Sequence, residues 1–377
     1  MPNLTNEEKV FLIVSSPTLS QKAIDFKINT ILQTTDSIAT EQIVSLALKN
    51  GTAGFLYKNT KGLNFFSKQL ALTLREQYRR TTMRNLQAVS STLQLLTKLA
   101  KNNIEAIPLK GAHASDVIFG DLGVYPSGDI DILIKPEHLP DIKNILCEKD
   151  SYTQASIDES DLLASHYHLM FYDKDHWLVE IHWNLVKRYV QIPPSFWWLN
   201  CKTTTWQNRT VPQMEIEKYL MYTIFRLFDH CYKPFKFFVL IAAIIDKYSK
   251  VINWEKFLGY CKQYKMERLS IFTLKLLNEL LDTHIPESIK ARSTLGYQPL
   301  RKLVLSGIFS DTNRPHLRMI AYTMLLDSPL DIFHILVGRI FPSKEELCLR
   351  YKLHEKSARV YFYYLLNPIL LFLKKKN

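Results

Sequence analysis

Hydrophobic positions along residues 1–65 recur at helical intervals, with breaks near Ser15-Ser16-Pro17 and at Gly51. From Phe65 to Lys101 the pattern lengthens. Leu70, Leu72, Leu74, Leu86, Val89, Leu93, Leu96 and Leu99 fall broadly at three- and four-residue steps, as one buried helix stripe requires. Arg75, Arg79, Arg80 and Arg84 fall between them, on the rest of that helix. The texture changes at Asn102-Asn103. IEAIPLK (104–110) is a short β-like run, and Gly111 opens a helical stretch to Phe119. GDLGVYPSG (120–128) is the richest turn region of the chain. DIDILI (129–134) alternates acidic and apolar residues, as a strand with two unlike faces does. Pro136 opens a helix to Lys149. HYHLMFY (166–172) and WLVEIHW (177–183), joined by the polar turn Asp173-Lys174-Asp175, predict a hairpin. Beyond Pro212 the pattern is helical, over 214–230, 234–250, 253–264, 268–283, 298–308, 315–326 and 343–373.

This order predicts an α+β fold: a small mixed β-sheet core at 102–211, between an N-terminal helical region (1–101) and a C-terminal helical domain (212–377). Composition agrees, since 11 Gly against 19 Tyr and 20 Phe favours helices with aromatic packing over a loop-rich chain. The 48 Lys and Arg exceed the 36 Asp and Glu, leaving a formal charge of +12. Such a surface attracts polyanions: nucleotides, nucleic acid or anionic lipid. The basic residues are spread along the chain, so most read as solvated faces.

Five scattered cysteines, Cys147, Cys201, Cys231, Cys261 and Cys348, include no CxxC pair. A disulfide framework and a cysteine zinc site are both disfavoured, and reduced thiols in a cytoplasmic protein are expected. MPNLTNEEKVF carries an acidic pair where a signal peptide needs a basic start, so no export signal is expected. Val360–Leu373 is almost wholly apolar and is followed by Lys374, Lys375 and Lys376. It is shorter than the roughly 20 residues a spanning helix needs. A final packed helix is the plainer reading, and peripheral membrane contact through 360–376 the sharper one.

The chemistry concentrates in the middle of the chain. Asp129 and Asp131 share one face of their strand because side chains alternate. Their repulsion in a partly dry site requires something positive between them, and a divalent metal meets that need. Glu180 sits among Leu178, Val179, Ile181 and Trp183, and shares a face with His182. If that face joins the face of Asp129 and Asp131, three carboxylates converge, a set able to hold two metals about 4 Å apart. Upstream, Lys110-Gly111 lies where a strand turns into a helix, and glycine there lets backbone approach a phosphate. His166, His168 and His182 form a weaker zinc candidate, for which hairpin packing is the plainer account. Lys233 and Lys236 are read as surface charge, and Phe196-Trp197-Trp198 as interface core.

In this order, LKG…GDIDILI…VEIHW resembles the DNA-polymerase-β-like nucleotidyltransferase superfamily, and more narrowly the bacterial "uncharacterised nucleotidyltransferase" family. The run Phe341-Pro342-Ser343-Lys344-Glu345-Glu346 through Arg350-Tyr351 is similar to that family's C-terminal part, although Ser343 and Glu346 also fit a helix capping box. The resemblance implies transfer of a nucleoside monophosphate from an NTP, ATP among them, to an acceptor, with Mg²⁺ or Mn²⁺ as a two-ion cofactor. The acceptor is left open among a small molecule, a peptide, a protein and RNA. Carried over residue by residue, Asp129 bridges both metals, Asp131 binds the nucleotide-side metal, and Glu180 holds the second metal and helps activate the acceptor. Lys110 and Gly111 sit against the triphosphate, and His182 is a further candidate for nucleotide or metal contact. Two departures stand out. Tyr125-Pro126-Ser127-Gly128 occupies the place where many relatives carry Arg, and Gly111-Ala112 replaces the usual Gly-Ser pair. Both favour the alternative of a catalytically silent member that binds protein or RNA.

Overall fold

Thr5 starts the first helix: its hydroxyl accepts from Glu8 N–H while the Glu8 carboxylate accepts from Thr5 N–H, a capping box. Four short helices follow one another: α1 (Asn6–Val14), α2 (Gln21–Leu32), α3 (Thr40–Asn50) and α4 (Ala53–Thr60). Ser67 caps α5 (Lys68–Lys101), a single 34-residue helix. The computed structural model describes residues 4–35, 37–147, 152–154, 167–187, 190–310, 321–342, 344–351, 353–354 and 357–373.

The buried stripe of α5 runs through Leu74, Thr81, Asn85, Ala88, Thr92, Leu95 and Leu99. It corrects the predicted one, because Leu72 and Leu86 are 43% and 48% exposed. Each stands two residues, or roughly 200° of helix rotation, from a buried position. Polar Asn85 and Thr81 occupy the inner face instead, where hydrophobic spacing does not reveal them.

The middle of the chain forms β1 (Ala106–Pro108), α6 (Ala112–Val117), β2 (Asp129–Ile134), α7 (Leu139–Cys147), β3 (Tyr152–Gln154), β4 (His168–Asp173) and β5 (Leu178–His182). The expected helix at Pro136 opens as a 3-10 turn, 136–138, before α7. The five strands make one mixed sheet in the order β1-β2-β5-β4-β3. Only β2 and β5 run parallel. Alternation divides its faces. Ile130, Ile132, Ile134, Leu169, Phe171, Val179 and Ile181 pack with Ala88, Leu95 and Leu99 of α5 and with Ile142 and Leu146 of α7. The other face carries the acidic residues.

After α8 (Pro194–Trp198) comes a hairpin that the pattern does not predict, β6 (Lys202–Trp206) and β7 (Arg209–Gln213). Its two-residue turn, Gln207-Asn208, holds φ at 48° and 59°, the sign a right-twisted hairpin needs. Helices then dominate as expected: α9 (Ile216–Asp229), α10 (Lys236–Lys247), α11 (Trp254–Gln263), α12 (Glu267–Leu281), α13 (Glu287–Lys290) and α14 (Tyr297–Phe309). The end differs from expectation. The run 343–373 is divided into α16 (Lys344–Tyr351) and α17 (Arg359–Leu373), and α15 (Pro329–Ile340) precedes it unforeseen. Within 315–326 the described part holds a 3-10 turn, 323–325.

N-terminal and C-terminal helices share one apolar core, in which Phe11 meets Phe235 and Phe309 at ring distances of 5.3 and 5.9 Å. Phe196 and Trp197 are buried there too. All five cysteines are free thiols. Among the described residues no helix is long and apolar enough to cross a membrane. Lys374, Lys375 and Lys376, like Ser343 and His166, lie outside the described residues.

Candidate active site

The site begins where β1 ends. Leu109 N–H bonds to the Asp131 carbonyl at 3.1 Å, and the chain then turns sharply through Lys110-Gly111. Gly111 takes φ 67° and ψ −129°, a conformation open in practice to glycine alone. A Cβ there would lie 2.5 Å from Ser127 Oγ and 3.1 Å from the Asp129 carbonyl oxygen. Ala112 begins a helix of only six residues, α6, so the phosphate site expected here rests on the Gly111 backbone more than on a helix dipole.

The turn region before β2 is held by Asn85 of α5. Its amide donates to the Leu122 and Tyr125 carbonyls at 2.7 and 2.8 Å, and its oxygen accepts from Ser127 N–H at 3.2 Å. Ser127 in turn donates to the Asp129 carbonyl at 2.8 Å. No arginine stands in this turn. Lys236 of α10 instead donates to the Pro126 carbonyl at 2.9 Å and lies over the Tyr125 ring.

β2 and β5 bring the acids together. Their parallel register sets Asp131 beside Glu180 and Leu133 beside His182. Each of Asp129, Asp131 and Glu180 offers an oxygen, and these lie within 4.8 Å of one another. The positive charge demanded by two neighbouring aspartates comes from Lys110, whose ammonium is 3.0 Å from Asp129 Oδ2 and 2.9 Å from Asp131 Oδ2. On the other side His182 Nε2 meets Asp131 Oδ1 at 3.1 Å and Glu180 Oε2 at 3.2 Å.

Burial alone would raise the Asp131 carboxyl, but the Lys110 charge and the His182 hydrogen bond hold it below the ordinary carboxylate range. Burial acts the same way on Glu180 and is outweighed by His182, then by the charges of His168 and Lys110, leaving it at about 2. Burial lowers His182, yet Asp131 and Glu180 raise it on balance. Lys110 is likewise lowered by burial and raised further by Asp131 and Asp129. The cluster is a compact, mutually neutralising set of charges.

The C-terminal helices supply groups that sequence spacing does not single out. Tyr219 of α9 donates to the Leu109 carbonyl at 2.8 Å, behind the glycine turn. Arg226, about two turns further along α9, donates to Tyr167 OH at 2.9 Å beside the acids. Their only signal is an amphipathic helix that carries Lys218 and Arg226 among its apolar positions. Lys233 lies in the turn before α10, ahead of the cis Lys233–Pro234 bond, while Lys236 reaches the site region. Of the three histidines of the zinc candidate, His168 and His182 are paired across β4 and β5 with ring centroids 5.0 Å apart.

An Asp-x-Asp strand thus lies beside a parallel strand bearing a third acid, next to a glycine turn. The pattern of the family described as uncharacterised nucleotidyltransferase matches residues 36–282, more than half of the chain, and the protein belongs to that family. The match begins just before α3 and ends just after α12. No curated protein and no solved structure matches the chain.

Proposed function

We propose that the protein is a metal-dependent nucleotidyltransferase, transferring a nucleoside monophosphate from an NTP to an acceptor hydroxyl, phosphate or similar group, with release of pyrophosphate. The observation carrying this reading is the convergence of Asp129, Asp131 and Glu180 within 4.8 Å. Three carboxylates are a hard, oxygen-only donor set, which fits Mg²⁺ or Mn²⁺. Two such ions supply charge neutralisation and alignment for in-line displacement at phosphorus.

The protein's own groups do the rest by position. Gly111, whose backbone leaves no room for a side chain, presents the turn to the triphosphate. Lys110 is near enough to exchange its carboxylate contacts for a phosphate oxygen, and Lys236 and Arg226 add positive charge around the anion. His182 ties Asp131 and Glu180 to each other and fixes both. A carboxyl held at about 2 is a poor general base at neutral pH. Glu180 therefore works as a ligand and an orienting charge, and the acceptor proton leaves to water or phosphate. We assign this chemistry to the 102–211 core, with the helical regions closing around it, in a bacterial cytoplasm.

A second reading has one observation in its favour: Lys110 already balances the aspartates, as it would in a silent member that serves as a protein- or RNA-binding scaffold. Titration calorimetry with each NTP and Mg²⁺ or Mn²⁺ separates the two. Metal-dependent binding that vanishes in Asp129→Asn/Asp131→Asn is expected. A folded protein that binds no NTP sinks the transferase reading and leaves the scaffold.

A further inference from the structure

Glu180 belongs to a second group of metal-ligating side chains. His168, Glu180 and His182 each offer an atom, and these too lie within 4.8 Å of one another. Strand register brings them together: His168 faces His182 across the β4–β5 pair, and Glu180 precedes His182 by two residues on the same face of β5. Directly opposed and same-face neighbours are the side chains a sheet sets in contact.

The chemistry of this set differs from that of the acids. Two imidazoles and a carboxylate suit ions of intermediate softness, whereas Mg²⁺ prefers oxygen alone. Three protein ligands with a further position open is the usual pattern of an accessible zinc site. The second observation concerns His182, which is 1% exposed. Its Nε2 is held by Asp131 at 3.1 Å and lies 3.2 Å from Glu180 Oε2, while its Nδ1 is buried and makes no hydrogen bond to any described residue. An unsatisfied buried nitrogen is costly. A ring fixed by a carboxylate at one nitrogen and free at the other is the pattern of a metal-binding histidine.

We propose that His168, Glu180 and His182 bind a transition-metal ion of the Zn²⁺ class, at a site chemically distinct from Asp129 and Asp131 and joined to them through Glu180. The site goes beyond nucleotidyl transfer and does not depend on it.

Co²⁺, which reports histidine ligation through its visible absorption, tests the proposal on the full chain with millimolar Mg²⁺ present. One equivalent is expected to bind with that absorption, and Zn²⁺ to displace it. His168→Ala should weaken Co²⁺ by more than the roughly 10–100-fold that loss of an outer-shell partner costs. His168→Phe, which keeps a ring against His182, should do the same if the alanine variant folds poorly. Asp129→Asn should retain Co²⁺. Binding unchanged in both His168 variants, or abolished by Mg²⁺ and by Asp129→Asn, overturns the site, as does the absence of Co²⁺ and Zn²⁺ binding. Co²⁺ binding through His168 in a protein that binds no NTP keeps this site while removing the transferase reading, and the reverse result does the opposite.

Discussion

Lys110 Nζ lies 2.9 Å from Asp131 Oδ2, and the Asp131 side chain is wholly screened from solvent. The pair is therefore structural as well as electrostatic. Removing one partner of a buried pair strands the other's charge, at a cost of about 3 kcal/mol. Lys110→Met is expected to unfold at a clearly lower temperature than wild type in EDTA, and to recover most of the loss in millimolar Mg²⁺, which replaces the missing charge. Wild type should respond to Mg²⁺ much less. Equal melting of the two proteins in EDTA would show that Asp131 does not need the ammonium.

Gly111 makes a sharper test of the turn. An alanine must adopt φ 67° with ψ −129° and push aside Ser127 Oγ, which sits 2.5 Å from where its Cβ would be. Strain of this kind is worth roughly 1–3 kcal/mol. Gly111→Ala is expected to lower stability by that amount, as read by urea unfolding. It should also weaken NTP binding at least tenfold, because the turn that meets the triphosphate is displaced. Unchanged NTP affinity would detach Gly111 from the nucleotide.

Asn85 acts at a distance from the acids. One buried amide makes three hydrogen bonds that shape residues 122–127, and Ser127 passes the constraint to Asp129 through its carbonyl. Truncation to alanine leaves two carbonyls and one N–H without their partner, at about 1–3 kcal/mol in sum after water enters. Asn85→Ala is thus expected to be less stable and to bind NTP more weakly, with the metal requirement unchanged. A stability loss without any change in NTP affinity would confine Asn85 to the scaffold.

Much of this was legible along the chain, and the reasons for the remainder are physical. DIDILI coincides with β2 because alternation of acid and apolar residues is a local signal with one solution. Side-chain parity put Glu180 and His182 on one face, but the pairing of Asp131 with Glu180 depends on the parallel register of two strands whose partners, Asp129 with Leu178 and Asp131 with Glu180, stand 49 residues apart in sequence. Parity alone cannot supply register. Lys110 was readable as a phosphate contact, whereas its place between the aspartates is a product of the sheet edge folding back on β2. Arg226 and Lys236 resemble any cation on an amphipathic helix until α9 and α10 are docked. The β6–β7 hairpin escaped because its strands, KTTTW and RTVPQ, are largely exposed and its turn lacks glycine.

Acid stability offers a measurement away from the carboxylates. Burial pushes the His113 imidazole down to about 4, against an ordinary 6.5, and a backbone hydrogen bond with Leu109 only partly offsets it. The ring stands edge-on to Trp206 at 4.8 Å, with Nδ1 shut off from water. In the unfolded chain the same ring takes its proton near 6.5. Between about 6.5 and 4 the unfolded state therefore binds more protons, so the stability contributed by the neutral ring is present above 6.5 and is lost as pH falls through 4. The upper limit is about 3 kcal/mol, from 1.36 kcal/mol per pH unit. His182 runs in the opposite sense, since its proton is favoured by the fold and stability is lost as pH rises through its raised value. The two are separated by difference. His113→Leu removes the first effect alone, and Tyr219 still donates to the Leu109 carbonyl. From pH 7 to pH 4 the melting temperature of His113→Leu is expected to fall less than that of wild type. Parallel curves would mean that His113 is protonated in the folded protein, which its burial against Trp206 argues against.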